Sequence, residues 1–397
     1  MPKRIAFVGF GLMLGLSASP SFAQTTTKTN LNGTNTPVTT AVPFLRISPD
    51  ARAGAMGDAG IAVSPDANAQ YWNVAKLPFA EKNYGVSLTY TPWLKDLVPD
   101  IFLAYLAGYA KFGTNGDQAI SASMRYFSLG NISYTDINAQ SLGTGLPREY
   151  SFDVGYSRKL STYLSAGLSL RYIHSDIAAG ASGQADYKPG NAFAADLGFY
   201  YAKTKEIDEF RKNTLSLGAV ISNLGSKISY SSLRKDFIPI NLGLGAAYTT
   251  QLDAYNKLTF ALDVNKLLVP SPQTDANGNV AYPDKGVVAG VFSSFGDAPG
   301  GFSGTVKQID VSIGAEYWYQ NTIAFRAGYF YENPDNGNRQ YFTTGLGVKY
   351  NVFGLNFSYL IPSGSGVTRN PLSNTLRFSL LFEFDKFEKA PSDAGTE

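Results

Sequence analysis

From Tyr84 to Phe384, apolar and polar residues alternate in segment after segment, and no other feature limits the fold as much. A period of two places successive side chains on opposite faces of an extended strand. Tyr84, Val86, Leu88 and Tyr90 share one face. Leu164, Ala166, Leu168, Leu170 and Tyr172 oppose Ser165, Gly167, Ser169 and Arg171. Near the end, Phe378, Leu380, Phe382 and Phe384 oppose Arg377, Ser379 and Glu383. The same reading along the chain predicts fourteen strands and no long amphipathic helix. The best helical candidate, Lys205 to Lys212, is short and highly charged.

One face of these strands is apolar with aromatics near its ends; the other is small, polar or charged. A soluble sandwich also has one apolar face per strand, but it does not girdle that face with Tyr and Phe. A transmembrane barrel does, and it turns its polar face to the lumen. The connections decide between the two. Long gaps (92–101, 129–149, 176–190, 222–238, 268–306, 333–339, 362–374) alternate with short ones such as GTNGD, LSTY, QN and NVF. That is the pattern of an outer-membrane barrel with long extracellular loops and short periplasmic turns. The expected fold is all-β, a 14-stranded antiparallel transmembrane β-barrel over residues 81–386, facing lipid with its apolar side. An even strand count is expected to return both termini to the periplasm. Arginine at lipid-facing Leu168, Leu197 or Leu380 should cost roughly 2–4 kcal/mol. At Ser169 or Ser379, on the polar face, it should cost less.

The segments before the strands have different textures. Residues 1–23 read as a signal peptide: Lys3 and Arg4, an apolar run from Ile5 to Ala18, and a Ser21-Phe22-Ala23 cleavage site. The run is shorter than the roughly 20 residues that span a bilayer. Residues 24–40 form a Thr/Asn-rich flexible leader, 41–80 a compact turn-rich, periplasmic or plug-like segment that either plugs the lumen or hangs beneath it, and 387–397 a C-terminal tail.

Composition narrows the function. Without residues 1–23 the chain carries 31 basic and 31 acidic residues, so no electrostatic case for nucleic-acid binding exists. Zero Cys removes thiolate chemistry, and a single His removes the common zinc sites. His174 adjoins Ser175 and Asp176, but neighbouring strand residues point to opposite faces and do not make a triad. No catalytic, cofactor or metal site is expected. Eleven charges fall on the polar faces: Arg125, Asp153, Arg171, Asp196, Asp263, Asp310, Glu316, Arg326, Lys349, Arg377 and Glu383. Five are basic and six acidic, which favours salt bridges between neighbouring strands over a selective channel lining. Arg158 follows the apolar face at a strand end, where its head can snorkel to the lipid headgroups.

The segment PFLRISPDARAGAMGDAGIAVSPDANAQYWNVAKLPF (43–79) resembles the start of the PorV family, outer-membrane barrels of the Bacteroidota type IX secretion system. LDVNKLLVPSP (262–272) and GAEYWYQNTIAFRAGYFYE (314–332) resemble it too. The pattern of Gly57, Asp58, Gly60, Asp66, Asn68 and Asn73 is shared with the wider FadL-like superfamily. The resemblance implies a FadL-like barrel without enzymatic activity. It also implies partners: the giant translocon barrel (Sov/SprA-like), cargo with C-terminal secretion domains, and the surface attachment complex to which cargo passes. The alternative from the superfamily is a channel or transporter for hydrophobic small molecules, which would need a greasy pocket in the lumen.

Apolar residues outside the lipid belt are the candidates for partner binding. The 92–101 connection carries Trp93, Leu94 and Leu97. The 268–306 connection, the longest, carries Leu268, Val269, Pro270, Pro272, Val291, Phe292, Phe295 and Phe302. Such side chains either meet a partner or fold inward over the lumen.

Overall fold

The computed structural model describes residues 37–93, 100–135, 138–180, 186–232, 234–274, 280–363 and 375–385. Fourteen strands close into one barrel: β1 (Tyr84–Pro92), β2 (Ile101–Phe112), β3 (Gln118–Leu129), β4 (Arg148–Lys159), β5 (Leu164–Asp176), β6 (Gly190–Glu206) and β7 (Lys212–Gly225) form its first half. The second half is β8 (Asn241–Gln251), β9 (Asn256–Leu267), β10 (Ile309–Tyr319), β11 (Ile323–Tyr331), β12 (Gln340–Tyr350), β13 (Phe353–Pro362) and β14 (Leu376–Phe384). Each strand pairs antiparallel with its neighbours in sequence. β1 closes on β14 with Leu88 opposite Leu380. Closure leaves the sheet no free edge, the condition for a β-structure to span lipid.

The facing follows the period. Leu88, Leu168, Leu197 and Leu380 project outward and are exposed, whereas Ser87, Thr89, Ser169 and Ser379 are buried inside. Aromatic rings gather at both rims of the outer face. Tyr90, Phe102 and Tyr126 lie in a row at the long-loop end, with centroids 5.5 and 6.0 Å apart. Tyr84 stacks on Phe384 at the short-turn end. The segment Lys205–Lys212 is no helix: it ends β6, turns through 207–211 with Ile207 N–H donating to Arg211 O, and opens β7.

Residues 37–80 run through the lumen. They form a 3₁₀ turn (Pro43–Arg46), two single-turn helices, α1 (Ala51–Gly54) and α2 (Ala69–Trp72), and a second 3₁₀ stretch (Val74–Phe79). Side chains cap them locally: Asp50 accepts Ala53 N–H at 2.8 Å and Asn73 accepts Ala75 N–H at 3.1 Å. The many Gly, Ala and Ser residues of this segment let its backbone approach the wall. At Gly328 an added Cβ would collide with Gly57 N and Met56 C. Gly57 itself needs the left-handed φ of +68° that glycine adopts freely.

Strand parity fixes the end of the barrel at which the chain enters β1 and leaves β14. Asp385, after β14, lies at the short-turn end, where it pairs with Lys82 at 2.8 Å. Residues 38–41 lie instead among the long connections, because a segment before β1 is free to run back through the lumen.

Candidate functional site

Inside the barrel, charge meets charge across long sequence separations. Arg52 donates from Nε and Nη2 to the two oxygens of Glu316 at 2.9 and 2.8 Å, a bidentate fork. Its Nη1 reaches Asp66 at 3.1 Å and Ser64 O at 2.9 Å. Glu316 also accepts Arg326 Nε at 2.7 Å. Asp263 accepts the backbone N–H groups of Gly60 and Ile61 at 2.7 and 2.8 Å. Asp58 accepts the Tyr341 hydroxyl at 2.6 Å and lies 3.5 Å from Arg377. Arg125 stacks on Tyr71 and donates to Leu45 O at 3.0 Å. Asp310 accepts Arg46 Nη2 at 3.0 Å.

The remaining inward charges pair between strands. Arg171 bridges Asp153 and Asp196, and Lys349 meets Glu383 at 2.8 Å. A register shift in β6 around Asp196 brings its carboxylate onto Asn223 N–H at 2.6 Å, as a bulge re-aims a side chain. Five of the eleven inward charges (Arg125, Asp263, Asp310, Glu316, Arg377) thus hold the segment in the lumen, Glu316 while also pairing with Arg326. The alternation shows which face each occupies, but the partner in the lumen segment lies 80 residues away for Arg125 and more than 200 for Asp263 and Glu316, and carries no local signal.

The lumen retains a cavity of about 110 Å³, lined among others by Arg46, Asp58, Tyr71, Arg171, Asn223, Asp310 and Arg339. Pockets for drug-sized ligands are about 300–1,000 Å³ and mostly apolar. This one is small and of mixed lining, with Leu45, Ile61, Val220 and Phe330 beside arginines and carboxylates that are already paired.

The long-loop end is built differently. Phe44 and Leu45 pack with Trp93, Ile101, Phe127, Ile238, Ile240, Leu268 and Val269 in one buried cluster. Trp93, Leu268 and Val269 thus belong to the mouth cluster and Pro270 and Pro272 are buried too, the inward of the two arrangements open to such side chains. A side chain sealing a lumen and one awaiting a partner need the same apolarity, so sequence does not separate them. Leu94 and Leu97 lie outside the described residues.

The 268–306 connection then rises into two helices, α3 (Val287–Ser293) and α4 (Phe302–Lys307), where no helix was expected. In α3, Val287, Gly290 and Val291 face the barrel, with Gly290 against the Phe237 ring. The opposite side is bare: Val288 is 67% exposed, Phe292 74% and Phe302 85%, with Phe295 and Val306 about half exposed. Val288/Phe292 and Phe302/Val306 are each one helical turn apart, so each helix shows an apolar stripe. That spacing was the available signal for Val306, which the strand reading passed over. Hydrogen bonds tack the connection down: Asp297 accepts Ser271 N–H at 3.2 Å and Ser293 Oγ at 3.0 Å, and Gln308 donates to Ser271 Oγ at 2.8 Å.

The family model of the type IX secretion system protein PorV matches residues 30–274. The chain belongs to the PorV family. That membership makes it an outer-membrane component of type IX secretion, and the closed antiparallel barrel is the fold such a component needs. No curated protein sequence matches. Among solved structures, the toluene transporter TbuX of Ralstonia pickettii is similar at 11% identity and a TM-score of 0.46, over 84% of this chain and 98% of that one. The toluene transporter TodX of Pseudomonas putida is similar at 14% identity and a TM-score of 0.45, over 84% and 96%. A FadL homologue of Pseudomonas aeruginosa is similar at 10% identity and a TM-score of 0.43, over 88% and 100%.

Proposed function

We propose that the protein is a non-enzymatic scaffold whose long-loop face is extracellular and binds the translocon barrel and cargo bearing C-terminal secretion domains. Cargo would pass from it to the surface attachment complex. The observation that carries this reading is the pair of bare apolar stripes on α3 and α4, standing above a lumen filled by the chain itself. Exposed apolar surface at a mouth is unfavourable in water and suits a protein partner. Passage of a hydrophobic small molecule would need a continuous greasy route, and the lumen offers a cavity of only about 110 Å³ with charged groups on its wall.

The test removes the stripes and keeps their support. The triple change Val288→Ser, Phe292→Ser, Phe302→Ser touches exposed side chains only, so the barrel should reach the outer membrane at normal level by surface labelling. Co-purification with the translocon barrel should fall at least tenfold and cargo should accumulate in the periplasm. Replacing residues 273–303 with a short Gly/Ser linker should do the same, because loop length changes closure entropy slowly. Normal secretion by a correctly inserted triple variant would remove this surface from the mechanism.

A further inference from the structure

The chain enters β1 at the short-turn end, where Lys111 Nζ donates to Ala80 O at 2.7 Å. Traced backwards from there, it climbs the lumen. Residues 74–75 pack on Gly167, Gly57 meets the wall at Gly328, and Phe44 and Leu45 sit among the mouth residues Trp93 and Phe127. Beyond Phe44 the backbone bends sharply at Val42, whose φ of 47° and ψ of 53° are left-handed. A β-branched residue is strained there, and such strain persists only where surrounding structure imposes it. Val42 is 1% exposed, locked in the mouth cluster.

Past that bend the chain is tied to three separate long connections. Ala41 N–H donates to Phe237 O at 2.9 Å, in the β7–β8 connection. Thr39 Oγ1 donates to the Tyr282 hydroxyl at 2.7 Å, in the connection that carries α3 and α4. Val38 N–H reaches Asn336 Oδ1 at 3.4 Å, between β11 and β12. Pro37 is exposed beside them.

We propose that the chain crosses the membrane inside its own barrel, so that residues 37–41 form a strap on the long-loop face that clamps these three connections around α3 and α4. The proposal rests on the orientation given above only for the name of that side. The crossing is a matter of which end of the barrel residue 37 shares.

The absence of cysteine makes the test clean. Single-cysteine variants Pro37→Cys, Ser303→Cys (long-loop face) and Ala254→Cys (short-turn face), all exposed, are treated with a membrane-impermeant maleimide on intact cells and again after permeabilisation. Proline has no backbone N–H, so its replacement at 37 removes no donor from the strap. Pro37→Cys and Ser303→Cys should label on intact cells, and Ala254→Cys only after permeabilisation. If Pro37→Cys labels together with Ala254→Cys and apart from Ser303→Cys, the crossing is wrong. If Ala254→Cys alone labels on intact cells, the orientation fails while the crossing stands. The clamp is read separately, in a chain lacking residues 25–41 with the lumen segment 42–80 intact. Trypsin should cut the connections containing Arg234, Lys285 and Lys307 several-fold faster than in the full chain. Equal cleavage in an assembled barrel would show that the strap holds nothing.

Discussion

Arg52 uses every nitrogen of its guanidinium on Glu316, Asp66 and Ser64, deep in the lumen. Breaking a buried ion pair costs about 3–5 kcal/mol, and without Arg52 the Asp66 carboxylate loses its cation while Glu316 keeps only Arg326. Arg52→Met should therefore lower the urea midpoint of the purified barrel clearly, while Arg211→Ala, at the exposed Asp208 pair, should leave it unchanged. Close approach gives a second residue test. Gly328→Val drives a side chain into the Met56–Gly57 backbone and should reduce the fraction migrating as folded barrel on unheated gels. Gly354→Ala meets only Leu381 Cβ, at 3.4 Å, and should be tolerated. At the mouth, burial alone would raise the Glu332 carboxyl, but the hydrogen bonds and charge of Arg339, with Arg46 beyond, outweigh it and hold it below its ordinary value. A depressed carboxylate contributes stability at neutral pH that is lost as pH falls through its folded pKa. The thermal midpoint of the native chain should exceed that of Glu332→Gln at pH 7, and the gap should close below the ordinary glutamate range. A gap independent of pH would mean that the carboxylate charge is not what holds Arg339.

At the scale of elements, the two faces of a strand prove equally demanding. Leu168, Leu197 and Leu380 face lipid, where arginine costs about 2–4 kcal/mol near the midplane. Ser169 and Ser379 were expected to be the tolerant side. Each is instead in contact with the lumen segment: Ser169 Oγ accepts Gln70 Nε2 at 2.7 Å, and Ser379 Oγ accepts Ala51 N–H at 2.9 Å. Arginine has no room there, so Ser169→Arg and Ser379→Arg should impair heat-modifiable mobility at least as much as Leu168→Arg, with Ser→Ala mild at both sites. Normal mobility of the two serine-to-arginine variants would show that the segment yields easily. The α3–α4 connection teaches a similar lesson. Its apolar residues divide between helix sides facing the barrel and facing away, a division set by helix phase rather than by composition.

For the whole molecule, a lumen occupied by residues 43–79 leads to the expectation that the barrel is closed to ions. The full chain should give no steady conductance in planar bilayers. A variant with residues 43–79 replaced by a Gly/Ser linker should conduct, because water replaces the segment beside Glu316, Asp263 and Arg125. Steady conductance by the full chain would contradict the packing at Gly328 and Asp263.

The sequence by itself determined the number of barrel strands, the outward face of residues such as Leu168, the aromatic rims, the alternation of long and short connections and the family. All of these are local: a period of two over ten residues is visible wherever it occurs, and Leu168 and Arg171 declare their faces without reference to the rest of the chain. Only the tertiary structure decided what the inward charges hold. Asp58 finds Tyr341 across 283 residues, and Arg52 finds Glu316 across 264. The segment that supplies these partners consists of single turns with no period to read. It is ordered by the wall around it, through bonds such as Asp263 to Gly60 and Ile61, and that wall exists only once the barrel has closed.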